Sequence, residues 1–230
     1  MAKWPPEHGY GPFAGRRHGP RRRAQVLSAT FTPSDSTDYT SVAVTTTLQV
    51  TFTQPCIAAK FAGSLKVPDG QALCIGAGGK VTGSVSVAPG GALWVAGGTI
   101  DGSLRSSGAS ALTLSQATVT GSVAVTGTIG PLAIGSGTSI GGSVSITSSS
   151  GAVALSGARV GGSLSISSNK GAVVLSGTAI IGSVSVTSNT AGVSITGNTV
   201  SGSLAVVSNS GPFVYSGNTV RGSAYVADNT

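Results

Sequence analysis

Residues 181–200 read IGSVSVTSNTAGVSITGNTV, and residues 201–220 read SGSLAVVSNSGPFVYSGNTV. The chain then begins the same line again with RGSAYVADNT at 221–230. Working backward, a Gly-Ser pair anchors each line: Gly63-Ser64, Gly83-Ser84, Gly102-Ser103, Gly121-Ser122, Gly142-Ser143, Gly162-Ser163, Gly182-Ser183, Gly202-Ser203 and Gly222-Ser223. Successive steps are 20, 19, 19, 21, 20, 20, 20 and 20 residues. A period this steady marks a repeat architecture, and it takes precedence over any local reading.

Inside one period the apolar residues alternate. In GGSVSITSSSGAVALSGARV (141–160), Val144 and Ile146 share one parity against Ser143 and Ser145. After a polar turn, Val153 and Leu155 alternate about Ala154, and a second turn at Ser156-Gly157 leads to Val160. Period two over short runs bounded by Gly and Ser predicts short strands. A unit of 20 residues cannot bury its own apolar face, whereas stacked units can. The expected fold is therefore all-β: a single-stranded parallel β-solenoid, a right-handed β-helix of about eight coils with three short faces per coil. Right-handedness follows the general rule for parallel crossovers. At about 4.8 Å per coil the rod is roughly 40 Å long.

Three columns of stacked aliphatics form the expected core. Val144/Ile146, Leu164/Ile166 and Val184/Val186 represent the first, Val153/Leu155 and Val173/Leu175 the second, and Val160, Ile180 and Val200 the third. The anchor glycine falls where a side chain would crowd a narrow corner. Asn169, Asn189, Asn209 and Asn229 recur at one turn, and Asn198 and Asn218 at another. Asn suits left-handed turn positions and can also hydrogen-bond along a stack.

Composition narrows the function. Charged residues are 8% of the 230-residue chain, and the net charge of +7 is uneven. Six Lys or Arg against Glu7 put +5 in the first 23 residues and leave +2 for the rest. Residues 1–30 read as a disordered basic leader, 31–60 as an N-terminal β cap and 61–230 as the solenoid. The strand-like alternation of TSVAVTTTLQVTFTQP (40–55) supports the cap, because an uncovered solenoid end is an exposed sheet edge. The leader shows no export signal. No basic, aromatic-rich patch points to nucleic acid, and no apolar run of about 18 residues predicts a membrane span. The chain stops at Thr230 part-way through a coil, which reads as either a truncated solenoid or an edge kept for a partner.

Catalytic chemistry finds little support. The expected solenoid holds only Asp69, Asp101 and Asp228 as acids, widely spaced, and both histidines, His8 and His18, precede it. No carboxylate pair for glycoside hydrolysis and no Ser-His-Asp triad can be composed there. Asp101 and Arg105 read as a surface ion pair. No cofactor or metal is expected. The protein is therefore read as a non-enzyme. Cys56 and Cys74 lie 18 apart, close to one coil. They form either a disulfide between neighbouring coils, implying an oxidising compartment, or two free thiols.

Two outward columns are candidate contact surfaces. One is a serine stripe: Ser84, Ser103, Ser122, Ser143, Ser163, Ser183, Ser203 and Ser223. Its hydroxyls either bind a repetitive partner, such as a glycan or cell-wall polymer, or simply solubilise an outer face. The other is a largely apolar strip, Trp94, Thr113, Ala133, Ala154, Val174, Ser194 and Val214, where exposure marks a contact surface and Trp94 could stack on a sugar. The pattern V-x-G-[NS]-[LV]-x-V with a following GNTV, together with CIAAKFAGSLKVPDGQALC (56–74), resembles secreted β-helical repeat proteins of actinobacteria over about residues 50–230. A looser similarity is to bactofilins, solenoid scaffolds that polymerise. The resemblance implies a fold rather than a chemistry, and the chain is read as a non-catalytic structural or surface protein, extracellular, acting through self-assembly, filament formation or lateral contacts. A carbohydrate- or cell-wall-binding β-helix is the alternative.

Overall fold

The computed structural model describes residues 23–31, 42–50 and 55–230. Two compact units divide the chain, Met1–Thr51 and Phe52–Thr230. In the first, strands Arg23–Phe31 and Val42–Val50 pair antiparallel along their full length. The first strand covers the end of the stretch read as leader and reaches Phe31, the first residue of the stretch read as cap, and the second falls within the cap. Residues 1–22 of the leader, and 32–41 and 51–54 of the cap, lie outside the described residues.

The second unit is a parallel β-solenoid. Each coil contributes one strand to each of three parallel sheets, of nine, eight and nine strands. The first sheet runs from Leu65–Val67 to Ala224–Ala227, the second from Ala72–Ile75 to Phe213–Ser216, and the third from Lys60–Phe61 to Thr219–Val220. About eight turns result. The pairing keeps the sequence period. Val144 lies beside Leu164 and Ile146 beside Ile166 in the first sheet. Val153 and Leu155 lie beside Val173 and Leu175 in the second, and Val160 beside Ile180 in the third.

Period two sends these side chains inward, and stacking closes the core. Leu112, Leu114, Ile134, Ile146, Leu155 and Ile166 are fully buried, as are their column-mates through most of the rod. Each such side chain contributes about 1.5–3 kcal/mol on leaving water. One inward position departs from the pattern: in Leu104–Ser107 the second inward residue is Ser106, which is buried with no partner for its hydroxyl.

The anchor glycine has a more specific cause than a narrow corner. A Cβ on Gly182 would sit 2.5 Å from Ser163 Oγ and 2.7 Å from the Gly162 carbonyl carbon. The preceding coil's Gly-Ser packs directly beneath it, so glycine is required by coil-to-coil approach.

Candidate functional surfaces

The serine stripe lines one corner of the solenoid. Its members are exposed, Ser103 partly so. Their hydroxyls are already engaged. Each Oγ from Ser64 to Ser203 accepts a hydrogen bond from the backbone N–H of the serine one coil later, at 3.1–3.3 Å. The small hydroxyl therefore satisfies a main-chain donor that turns out of the sheets at the corner. Neither a solubilising nor a binding role is needed to account for the repetition of serine.

The asparagines form a second set of ladders. Asn169 Nδ2 donates to Asn189 Oδ1 at 2.8 Å, Asn189 Nδ2 to Asn209 Oδ1 at 2.8 Å, and Asn209 Nδ2 to Asn229 Oδ1 at 2.7 Å. The same oxygens accept the backbone N–H of the preceding Asn. Each Nδ2 also reaches a main-chain carbonyl: Ile146, Ile166 and Val186 for the three in turn. Asn198 and Asn218 repeat the arrangement at another corner. Stacking is thus the role of these residues, and left-handed backbone is not. The positive φ falls one residue earlier, at Ser168, Ser188 and Ser208 (55–57°) and at Gly197 and Gly217.

Toward the N-terminal side the same corner columns change composition. The buried position occupied by Asn169 is held by Ser149, Thr128 and Ala109 in earlier coils. Ser149 N–H donates to Asn169 Oδ1, where the ladder begins. The hydroxyls of Thr128 and Ser149 are buried and unpartnered.

The apolar strip faces outward in the second sheet and is continuous by register. Cys74, Trp94, Thr113, Ala133, Ala154, Val174, Ser194 and Val214 lie side by side. Val174 (37% exposed) and Val214 (49%) are its open members, and Trp94 is half-buried and already in contact with its surroundings. Cys74 belongs to this column, and its disulfide with Cys56 (Cα–Cα 4.5 Å) ties the first coil to the second. Ile57 bridges Ile75 beside it. Asp101 pairs with Lys80 Nζ at 2.9 Å, correcting the expected pairing with Arg105. The third-sheet register sets Lys80 beside Thr99, two residues from Asp101, while Arg105 has turned onto the first sheet.

A shallow groove of about 390 Å³ runs over the outer side of the first sheet. Ser163, Ser183 and Ser203 of the stripe, Ser165, Ser185 and the ring of Tyr225 line it. Sequence reasoning missed it, because Tyr225 is the one aromatic in its outward column and follows the small residues Ser165, Ser185 and Ala205. Among the described residues, no three His, Cys, Asp or Glu side chains cluster as a metal site would require. No helix among them is long and apolar enough to cross a membrane.

The two ends of the first sheet differ. Leu65 and Val67, its first inward pair, are buried (8% and 0% exposed). Val226, in the last inward pair, is 39% exposed, Ala224 is exposed too, and Tyr225 between them is 61% exposed. No family model, curated protein or solved structure matches the chain.

Proposed function

We propose that the protein is a non-catalytic structural solenoid that works through self-assembly or through contacts of its lateral faces. One observation carries this reading. The recurrent polar columns, serine and asparagine alike, are used in hydrogen bonds from coil to coil. The repeated polar chemistry of the chain is thus devoted to holding a rod together, and what it offers outward is surface. The open apolar members Val174 and Val214 of the second-sheet strip supply contact area. The Cys56–Cys74 disulfide supports an oxidising, extracellular setting, as does the resemblance to secreted actinobacterial repeat proteins. Electron microscopy and light scattering of the purified chain over a concentration series test the reading. Defined assemblies support it, while monomeric rods at every concentration remove self-assembly and leave only lateral contacts with other molecules.

A second reading, a carbohydrate-binding face, is favoured by the groove, whose lining is largely apolar and includes Tyr225. An aromatic ring gives a sugar an apolar face to stack on. Tyr225→Ala should then abolish retention on immobilised cell-wall glycan, with the circular dichroism spectrum unchanged. Trp94→Ala tests the strip in the same assay.

A further inference from the structure

Resting on the self-assembly reading, we infer that the outer face of the second sheet packs against the same face of a second copy, giving a two-fold dimer whose solenoid axes run antiparallel. The eight strands of this sheet contain no charged residue. In the strands of the other two sheets every charged residue is a cation. Lys66 and Arg105 stand on the outer side of the first, and Lys60, Lys80 and Arg159 on that of the third, all exposed. Of these, Lys80 is paired with Asp101. Two copies meeting through either of those sheets would set like charges against each other, which disfavours the contact. The second sheet is free of that repulsion.

Its size and exposure also fit. Eight strands of about four residues, at ~4.8 Å between strands and ~3.3 Å between residues, present about 500 Å² of flat face. A pair of copies then covers about 1,000 Å², the area a specific interface must reach. Val174 is 37% exposed although strands flank it on both sides, with Ala154 beside it on one and Ser194 on the other.

The central outward column sets the register. It reads Trp94, Thr113, Ala133, Ala154, Val174 and Ser194 along neighbouring strands. Ala133 and Ala154 are its smallest neighbours, so two faces approach closest there. A two-fold axis lying in the interface, parallel to the strands and between these two, sets Ala133 against Ala154 of the partner subunit. Val174 then faces Thr113 of the partner subunit, and Ser194 faces Trp94 of the partner subunit. The bulkiest residue of the column thus meets a small one, twice, once on each side of the axis, as an isologous contact requires. With the solenoid axes parallel, Trp94 and Val174 would each meet their own copy and hold the faces apart over the alanines between them. Both copies use the same face, so association closes at two and does not propagate.

The full 230-residue chain should sediment at twice its 22.2 kDa mass. Val174→Lys should weaken the dimer at least about tenfold, because association would bury an unpaired charge, with thermal unfolding unchanged. Ser145→Lys adds the same charge to the outer side of the first sheet and should leave the dimer as it was. Sheets packed face to face lie ~10 Å apart. A bismaleimide of that span should therefore join a Thr113→Cys chain to a Val174→Cys chain when the two are mixed. It should join neither variant to itself, since the strands of Thr113 and Val174 are three spacings apart, which adds ~14 Å along the rod. No cross-link in the mixture, self-cross-linking of Val174→Cys, filaments, or a dimer as tight in Val174→Lys as in the unsubstituted chain would each overturn this inference and leave self-assembly standing. A monomer at all concentrations would overturn both.

Discussion

Coils on either side of Ser149 share the same aliphatic columns and fill their corners in different ways. From Asn169 onward the corner is a carboxamide ladder, and the buried amides of Asn169, Asn189 and Asn209 make contacts to the coils before and after. Before Ser149 the same column holds Ala109, then Thr128, whose hydroxyl has no partner. The earlier coils keep the serine ladder and add the Cys56–Cys74 disulfide and the Lys80–Asp101 ion pair. The comparison separates two tasks. Aliphatic stacking makes a solenoid of either region, and it is non-directional. Carboxamides are directional, so they fix how one coil sits on the next.

Substitutions can break that contrast. The largest loss is expected from Asn189→Ala, which orphans the buried Asn169 N–H and removes the Nδ2 bonds from Asn169 to Asn189 and from Asn189 to the Ile166 carbonyl. At roughly 1–3 kcal/mol for the orphaned donor and about 1 kcal/mol for each other bond, the cost is about 4 kcal/mol. Hydrogen exchange should show it as lost protection confined to the coils around residue 189. Thr128→Ala, at the equivalent corner, should cost almost nothing by the same measurement. Replacing both Cys56 and Cys74 by serine should cost about 3 kcal/mol, read as lost protection at the first two coils with the asparagine region unaffected.

Ser149→Asn sharpens the comparison in the opposite direction. It extends the ladder by one rung, from Asn169 Oδ1 toward Thr128, and should stabilise by about 1 kcal/mol, seen as slower exchange in the coil at 128–148. Smallest is Ser188→Gly. Ser188 holds a φ of 57°, where an L-residue pays roughly 1–2 kcal/mol and glycine gives back part of that through its unfolded-chain entropy. A net gain of about 0.5 kcal/mol in urea unfolding is expected.

Periodicity made the three sheets and their inward columns legible, because parity and a 20-residue period each have one structural solution here. The exact partners were not legible. Asp101 and Arg105 read as sharing one strand face, whereas Asp101 lies in the bend after Thr99–Ile100, Arg105 lies on the first sheet, and the neighbouring coil supplies Lys80. Ser106 escaped because the core was traced through aliphatics, and a lone inward serine carries no apolar signal. Serine recurs in the stripe because its hydroxyl serves a backbone N–H one coil away, a fact that composition cannot separate from solubility. The asparagine turns were half legible: stacking was readable from the period, but the residue that takes the left-handed backbone is the serine before it.

The anchor glycine has a consequence for how such a chain changes over generations. Because the atoms nearest a Cβ on Gly182 belong to Gly162 and Ser163 of the coil below, and that coil carries the same Gly-Ser, one period can follow another at this corner. Duplicating or deleting one period in the coding sequence then inserts or removes a whole storey of the rod and leaves the joints on both sides sound. Rod length becomes a heritable quantity adjustable in steps of about 4.8 Å, with no redesign of the parts that remain.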